Sequence, residues 1–219
     1  ALRLTCHMSL ISVIIPVYGR FERLKKTFDS LLSQTYPELE FVVVDDGNEP
    51  ALNFSELQSK SSKPFLGIRQ GHSGAPAARN MGFARSKGDY VLFCDADLKA
   101  EPDMIQTMFE ALEVHPEAGY AYSNFYWGTK RFRSRAFDYE ALKRLNYITT
   151  VSLIRRECFP GFDETLKRFQ DWDLWLSMAE RGIRGHWINT FLFRYYTRGT
   201  MSSWLPSFMY QKPWKFIPG

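Results

Sequence analysis

The sequence predicts an α/β fold with a mostly parallel central sheet that helices cover on both faces. Strand-like runs alternate with helix-like segments in the first half of the chain, which is typical of this class. Most of the runs are nearly uniformly apolar, as strands buried on both faces are. Polar residues occupy the carboxyl ends of three of them, at the edge where open sheets bind ligands. We expect a single domain, because the 219 residues contain no low-complexity linker.

Four short apolar runs predict the strands of the first half. Proline, glycine or aspartate lies in or beside each run, and these residues favour the turns that connect strands. The run at 64–70 is the weakest of the four. The runs are ISVIIPVY (11–18), LEFVVVDDG (39–47), PFLGIRQ (64–70) and DYVLFCDAD (89–97).

Helices are predicted between these runs. The first spans 20–37, carries apolar residues at helical spacing and is ended by Pro37. The second opens at Ser73 and closes at Gly88. The third, 101–112, has a proline in its first turn and one apolar face. Residues 48–62 are polar and indicate at most a short helix.

The pattern loosens after about residue 118. Strands are predicted at 119–127 and 147–157, a short helix at 139–145 and an amphipathic helix at 171–182. No repeat separates the two halves, so the second half is predicted to extend the same domain.

Composition excludes several classes of protein. The net charge of +4 is mild and does not by itself indicate nucleic-acid binding. The three cysteines lack metal-ligand spacing, which argues against a zinc site or disulfide framework and for a reducing compartment. No run approaches the roughly 20 apolar residues of a membrane span, and the N-terminus lacks a signal-peptide pattern. We expect a cytoplasmic protein, free or in peripheral contact with the inner face of the membrane.

The stretch YVLFCDADL places Asp95 and Asp97 at the end of an apolar run. Two carboxylates this close repel each other, and a bound cation relieves the repulsion. Mg²⁺ and Mn²⁺ prefer oxygen ligands and bridge to substrate phosphates. We expect Asp97 to be the main metal ligand and Asp95 to contact the metal or a sugar hydroxyl. The alternative is a strand-exit turn, where aspartate is common.

Three stretches of the chain resemble one enzyme family. They are SVIIPVYGRFERLKKTFDSLLSQTYPELEFVVVDDG (12–47), GAPAARNMGFARSKGDYVLFCDADL (74–98) and GFDETLKRFQDWDLWLSMAERG (161–182). Together they resemble the large family 2 of inverting glycosyltransferases, which have the Rossmann-like GT-A fold and use nucleotide-diphosphate sugars. The resemblance covers residues 9–200. It implies a metal-dependent transfer of a sugar, expected to come from a UDP-sugar, to an acceptor hydroxyl.

The resemblance implies donor-binding roles for five positions. Pro16 and Tyr18 match residues that line the pocket of the nucleotide base, with Tyr18 packing near the base. Asp46 matches a carboxylate that accepts hydrogen bonds from the base, a role that suits an acceptor-only group. Asp95 and Asp97 match the pair that meets the ribose and the metal-bound diphosphate.

The resemblance also implies that Asp171 is the catalytic base. An inverting transfer needs a carboxylate that removes the proton of the attacking hydroxyl. Asp171 could instead, or in addition, cap a helix beginning at Trp172, and Asp173 is a rival for the base. Gln170 stands where relatives frequently have glutamate. Arg79 matches a segment near the nucleotide, where it either supports the acidic site or forms a structural salt bridge.

One departure from the family pattern concerns the metal. Many relatives carry a histidine in a YRxH-like stretch near the end of the domain, whereas this chain has RYYTRGTMSS (194–203). There Arg198 is expected to pair with the diphosphate as a fixed cation. Of the four histidines, only His72 lies in a predicted active-site loop.

Aromatic and basic residues indicate possible acceptor contacts. Trp172 and Trp175 flank the predicted base; one is expected in the core, and the other is left open as a stacking wall for a sugar. The basic segment KRFRSR (130–135) and the tail could meet anionic lipid or a lipid-diphosphate acceptor. A solvated basic face is the alternative for 130–135, and the tail is the candidate for peripheral membrane contact.

The chain is expected to divide into an N-terminal extension (1–8), the GT-A domain (9–200) and an aromatic and basic tail (201–219). Residues 9–115 would bind the nucleotide sugar and residues 116–200 would face a glycan, lipid-linked or other hydroxyl acceptor. Two other functions compete. One is a non-catalytic nucleotide-sugar-binding module. The other is a sugar nucleotidyltransferase, which is disfavoured because only Gly19 and Arg20 stand where a glycine-rich loop is expected.

Overall fold

The structure, a computed structural model, describes residues 8–196. The predicted tail, Arg198 and all but the last residue of the predicted N-terminal extension lie outside this range. The strands are β1 (Ile11–Val17), β2 (Leu39–Asp46), β3 (Phe65–Gln70), β4 (Tyr90–Phe93), β5 (Leu98–Ala100), β6 (Ala118–Trp127), β7 (Lys130–Phe132), β8 (Leu153–Arg155) and β9 (Arg184–Tyr195). The helices are α1 (Phe21–Leu32), α2 (Phe54–Gln58), α3 (Ala75–Arg85), α4 (Met104–Val114), α5 (Tyr139–Arg144) and α6 (Gln170–Glu180), with one 3₁₀ turn at Arg156–Cys158.

All nine strands of the described range belong to one sheet, in the order β3–β2–β1–β4–β8–β6–β9–β5, with β7 beside β6. The first four strands in this order are parallel, and so are β6 and β9. Every antiparallel pair involves one of the three-residue strands β5, β7 and β8. Helices cover the sheet on both faces. This architecture confirms the predicted α/β fold class.

Two apolar clusters, one on each face of the sheet, hold the helices in place. Successive residues of a strand point to opposite faces. Val13 and Ile15 of β1 therefore share a cluster with Phe28 of α1. Ile14 points the other way and shares the second cluster with Ala78 of α3. This packing sets the first turns of α1 and α3 beside the carboxyl ends of β1 and β2.

Helix α1 and strand β8 are shorter than the elements predicted there, because other hydrogen bonds compete with them. α1 ends at Leu32, and beyond it the Thr35 backbone N–H donates to the Pro102 carbonyl oxygen at 2.8 Å. The strand predicted at 147–157 is reduced to β8. Before β8, the Ser152 hydroxyl donates to the Thr149 carbonyl oxygen at 3.0 Å, a side-chain contact that favours a turn.

Three strands were not predicted, and one of them matters for the site. β5 and β7 have only three residues each. β9 is long but has no fully buried residue in its first half, and its register with β6 shifts between Ser123 and Phe125. A strand with such a bulge has no regular alternation of apolar residues, so its pattern gave no strand prediction.

Candidate active site

The carboxyl ends of three neighbouring strands bring the predicted donor-side residues to one edge of the sheet. Pro16 lies within β1 and Tyr18 follows it directly. Asp46 is the last residue of β2. Asp95 and Asp97 lie in the loop between β4 and β5. This edge is where open α/β sheets bind ligands.

Asp97 is buried and contacts two arginines of the α1 region. Arg20, the residue before α1, donates from Nη1 to Asp97 Oδ2, and Arg23 Nη1 lies 3.6 Å from the same oxygen. Burial raises the pKa of Asp97 and the nearby charge of Asp95 raises it further, whereas both arginines lower it. The two guanidinium groups thus offset part of the cost of placing two carboxylates together.

Asp95 is held by one cation and one hydroxyl. Arg79 of α3 donates from Nη2 to Asp95 Oδ1 at 2.7 Å, and the Tyr195 hydroxyl donates to Oδ2 at 3.0 Å. Burial, followed by the charge of Asp95, raises the pKa of Tyr195 well above its ordinary value, so its hydroxyl stays a donor. Arg79 is also buried, and its guanidinium lies 5.2 Å from the centre of the Phe162 ring. Arg79 therefore forms the salt bridge that was one of its two predicted roles, and its partner in that bridge is Asp95, a residue of the acidic edge.

Asp171 lies in the first turn of α6, where two hydrogen bonds orient it. Its Oδ2 accepts from Asn146 Nδ2 at 3.0 Å and its Oδ1 from the Trp172 backbone N–H at 2.9 Å. Burial raises the pKa of Asp171, while these two bonds and the charge of Arg79 lower it. The helix begins at Gln170, so Asp171 is an internal residue of the first turn rather than its cap.

One guanidinium connects the donor-side edge to the beginning of α6. Arg79 donates from Nη1 to Gln170 Oε1 at 3.4 Å while its Nη2 bonds to Asp95. The charge of Asp95 in turn acts on the pKa of Asp171. Asp95 and Asp171, which are far apart in sequence, therefore lie in one electrostatic environment.

Asp46 holds the loop that leads into α3. Its Oδ1 accepts from Gln70 Nε2 and from the Ser73 backbone N–H, both at 2.8 Å. Its Oδ2 accepts from the Gly74 backbone N–H at 2.9 Å and lies 3.0 Å from His72 Nδ1. These four contacts occupy the lone-pair positions that a carboxylate offers. A nucleotide base that bonded to Asp46 would have to replace one of them.

An exposed aromatic pair lies at the same edge. The rings of Tyr18 and His72 stack with their centres 3.9 Å apart and their planes 22° apart. The Tyr18 side chain is 58% exposed. His72 therefore lies at this edge, beside Tyr18 and Asp46. The other two histidines of the described range, His115 and His186, stack on each other instead.

Both tryptophans of α6 belong to the core. Trp172 and Trp175 are buried, and their indole N–H groups donate to the carbonyl oxygens of Leu142 at 2.6 Å and Ile148 at 3.1 Å. The sequence predicted a core position for one of these tryptophans and left the other open; in the structure both are in the core. Neither ring is available as a sugar-stacking wall.

Four residues whose side chains contact Asp95, Asp97 or Asp171 were missed: Arg20, Arg23, Asn146 and Tyr195. The two arginines could have been found, because the first turn of a helix that follows β1 must lie at the carboxyl edge of the sheet. Tyr195 could not, since β9 was not predicted. Asn146 lies in a loop that local hydrogen bonds shape, and no pattern in the sequence pointed to it.

The residues at this edge are compatible with a divalent cation. Within residues 8–196 no group of three or more His, Cys, Asp or Glu is arranged to hold a metal. Mg²⁺ or Mn²⁺ needs only one or two carboxylates when phosphates and waters complete its coordination, and Asp95 and Asp97 supply that number. Both carboxylates already attract guanidinium groups, so the position favours positive charge.

The chain belongs to glycosyl transferase family 2, whose family model matches residues 12–165. The fold and the acidic edge described above agree with this membership. Among residues 8–196, no helix combines the length and the apolar composition needed to cross a membrane.

Two proteins similar in sequence are also glycosyltransferases. Glycosyltransferase GlyA of Streptococcus pneumoniae is 38% identical over 121 residues, which cover 53% of this chain and 17% of GlyA. The uncharacterized glycosyltransferase YwdF of Bacillus subtilis is 28% identical over 183 residues, which cover 78% of this chain and 68% of YwdF. The chain therefore spans only a small part of the first of these relatives.

Two solved structures share the fold at low sequence identity. S. aureus TarS 1–349 in complex with UDP-GlcNAc has a TM-score of 0.70 at 17% identity, over 90% of this chain and 62% of that one. The mannosyltransferase PcManGT from Pyrobaculum calidifontis, in complex with GDP-Man and Mn²⁺, has a TM-score of 0.68 at 18% identity, over 89% of this chain and 59% of that one. These likenesses confirm the GT-A fold.

Proposed function

We propose that this glycosyltransferase is a metal-dependent, inverting enzyme that transfers a sugar from a UDP-sugar to an acceptor hydroxyl. One observation carries the proposal: Arg79 bonds to Asp95 on its donor side and to Gln170, the neighbour of Asp171, on its other side. This contact places a carboxylate suited to a metal-bound diphosphate close to a carboxylate suited to proton removal. A single-displacement transfer needs both at one cleft.

The nucleotide base would bind between the ends of β1 and β3. Tyr18 offers an exposed ring face, and stacking on such a face is favourable for every base. Pro16 shapes the end of β1. Asp46 would act either by accepting directly from the base or by holding the loop that surrounds it. Two solved structures with this fold contain UDP-GlcNAc and GDP-Man respectively. This supports a nucleotide-sugar donor for the present chain, and we propose UDP as the nucleotide of that donor.

Asp97, with Asp95, would hold a Mg²⁺ or Mn²⁺ ion. The ion, when bound, supplies positive charge that stabilises the departing diphosphate. Arg20 and Arg23, which now contact Asp97, would be free to turn toward the diphosphate as additional cations. Arg198, which lies outside the described residues, is proposed for the same role.

Asp171 would be the general base. The acceptor oxygen forms a bond to the anomeric carbon as the bond from that carbon to the diphosphate oxygen breaks, and the hydroxyl proton passes to the Asp171 carboxylate. Because burial raises the pKa of Asp171, its ionised form is a stronger base than an exposed aspartate. Inversion follows from attack on the face opposite the leaving group.

Calorimetric titration of UDP with Mn²⁺ present tests the proposal. We expect wild-type protein to bind UDP, Asp97→Ala to bind at least about tenfold more weakly through loss of a metal ligand, and Asp171→Asn to bind normally but lose transfer. Asp173→Asn, in the same helical turn, is the matched control and should retain transfer. Full turnover by Asp171→Asn would refute the base assignment, and absence of UDP binding with and without metal would refute the proposal.

A screen of UDP-, GDP- and dTDP-sugars for donor hydrolysis then identifies the nucleotide. The contacts of Arg20 and Arg23 with Asp97 also suit the alternative of a non-catalytic nucleotide-sugar-binding module, since they compete with metal. That alternative predicts UDP binding without hydrolysis or transfer for every donor and acceptor tested.

A further inference from the structure

A cluster of four arginines lies in the second half of the protein, on β7, the segment that follows it and the end of β9. Each guanidinium is placed over an aromatic ring, at 4.0–5.9 Å from the ring centre. Such stacking holds a guanidinium in place while its N–H edge stays available to a ligand. The pairs are Arg131 and Arg133 over Phe191, Arg135 over Tyr147, and Arg194 over Tyr126.

The strand register shows that Arg131 and Arg194, two members of the cluster, share one face of the sheet. Tyr126 pairs with Arg131 on one side and with Arg194 on the other, and directly opposed residues project to the same face. Arg133 lies just beyond the end of β7, and its guanidinium is over the same Phe191 ring as that of Arg131.

The charge of this cluster is not neutralised by acidic neighbours. Arg131, Arg133 and Arg135 are exposed. Within residues 8–196, none of the ion pairs involves a member of the cluster. By contrast, Arg20 and Arg79 at the donor side both contact carboxylates. An ordered group of uncompensated guanidinium groups is suited to bidentate recognition of phosphate or carboxylate.

The cluster is connected to the candidate base. Tyr147, the ring under Arg135, directly follows Asn146, which donates to Asp171. The Arg135 carbonyl accepts from the hydroxyl of Tyr122, a buried residue of β6, at 2.7 Å. An anionic chain bound along the cluster would therefore lead toward Asp171.

We propose that the arginine cluster binds the oxyanion groups, phosphate or carboxylate, of an acceptor chain whose hydroxyl is presented to Asp171. The inference rests on the proposed function, because it assigns the cluster to the acceptor of that reaction. A soluble acceptor chain fits better than a lipid surface. Among the described residues, Leu145, two positions before Tyr147, is the one exposed large hydrophobic side chain close to the cluster in sequence, whereas interfacial binding to a bilayer uses a group of such side chains.

The test measures binding of four probes to the purified chain at several salt concentrations. The probes are short-chain polyphosphate, oligogalacturonate, a neutral dextran oligosaccharide and phosphatidylglycerol vesicles. The double variant Arg131→Gln/Arg133→Gln is compared with Arg181→Gln/Arg184→Gln, which removes the same charge from exposed positions at the far end of β9. UDP affinity is measured for each protein.

We expect at least one soluble polyanion to bind in a salt-dependent way and the cluster variant to bind it about tenfold more weakly, as loss of charge-assisted contacts predicts. The matched variant should bind it like wild type, and neutral dextran should not compete. Equal polyanion affinities of the two variants would overturn the inference, and so would binding to vesicles but to neither soluble polyanion. Failure of wild-type protein to bind UDP would instead refute the proposed function, so the two failures are distinct.

Discussion

The side-chain amide of Asn146 donates to Asp171 Oδ2 at 3.0 Å, and its own oxygen accepts from the Ile148 backbone N–H at 3.2 Å. The second bond fixes which end of the amide faces Asp171, since only the oxygen can accept. Asn146 therefore positions the candidate base and favours its ionised form.

Removing this bond should impair transfer without affecting donor binding. Asn146→Ala is expected to lower kcat about 10- to 100-fold, because a base displaced by a fraction of an ångström reacts poorly. The bond lowers the pKa of Asp171, so its loss raises that pKa and should move the acidic limb of the kcat–pH profile to higher pH. Asn146→Asp should move it further, through like-charge repulsion.

Asn189→Ala is the matched control for the two Asn146 variants. The exposed Asn189 accepts from Asn124 Nδ2 at 3.0 Å, in a side-chain bond of the same length. Its loss should leave the pH profile unchanged. A profile for Asn146→Ala that coincides with wild type would show that Asn146 has only a structural role.

Asp171→Asn should gain stability relative to wild type as the pH rises from about 4 to 7. Burial raises the pKa of Asp171 on folding, so its contribution to stability is complete below the unfolded pKa of about 3.9 and is lost as pH rises through the folded pKa. The variant avoids that loss, although its amide has a single acceptor oxygen and keeps only one of the two hydrogen bonds that Asp171 accepts. The difference in Tm between variant and wild type should therefore shift in favour of the variant as the pH rises from about 4 to 7, by about 2–4 °C for each kcal/mol.

Thermal melts of Asp171→Asn and wild type at a series of pH values test this prediction. Asp163→Asn is the control, because folding shifts the pKa of Asp163 in the opposite direction. Hydrogen bonds from Thr165 lower the pKa of the exposed Asp163. Its stabilising effect is present above the unfolded pKa and fades in acid, so Asp163→Asn should not raise Tm at pH 7. A Tm difference between Asp171→Asn and wild type that stayed constant from pH 4 to pH 7 would contradict the expected cost of ionising this half-buried carboxylate.

Tyr18→Ala should weaken UDP binding by about 5- to 150-fold, the equivalent of the 1–3 kcal/mol that stacking on an aromatic ring contributes per base. Tyr18→Phe keeps the ring and should bind like wild type. Because the Tyr18 side chain is 58% exposed, neither change should alter Tm appreciably. Calorimetry with UDP distinguishes the variants. Unchanged affinity of Tyr18→Ala would remove this ring from the base pocket.

Tyr195→Phe should lower both stability and donor affinity, because it removes one of the two groups that hold Asp95. Loss of a hydrogen bond to a charged group costs about 1.5–3 kcal/mol. Tyr36→Phe is the control: its buried hydroxyl donates to the Ser9 carbonyl at 2.6 Å, outside the site. It should lower Tm without changing the UDP affinity, whereas Tyr195→Phe should change both. A change in Tm alone for Tyr195→Phe would leave Tyr195 a purely structural role.

The parallel half of the sheet and the place of its acidic residues could be predicted from the sequence. Uniformly apolar runs such as β2 have no stable position except inside a covered sheet. Polar residues at the ends of these runs must then meet at one edge, so the positions of Asp46 and Asp95 at that edge follow from the sequence. The family resemblance followed from the same segments, and the match to residues 12–165 confirmed it.

The partners of those acidic residues were decided by the tertiary structure. Tyr195 reaches Asp95 from a bulged strand, and Asn146 reaches Asp171 from a loop shaped by local hydrogen bonds. Such contacts join residues distant in sequence and depend on register shifts and loop geometry, which leave no periodic signal in the chain. Burial behaves in the same way: an aspartate can be read from a sequence, but the desolvation that raises its pKa exists only once the chain is packed around it.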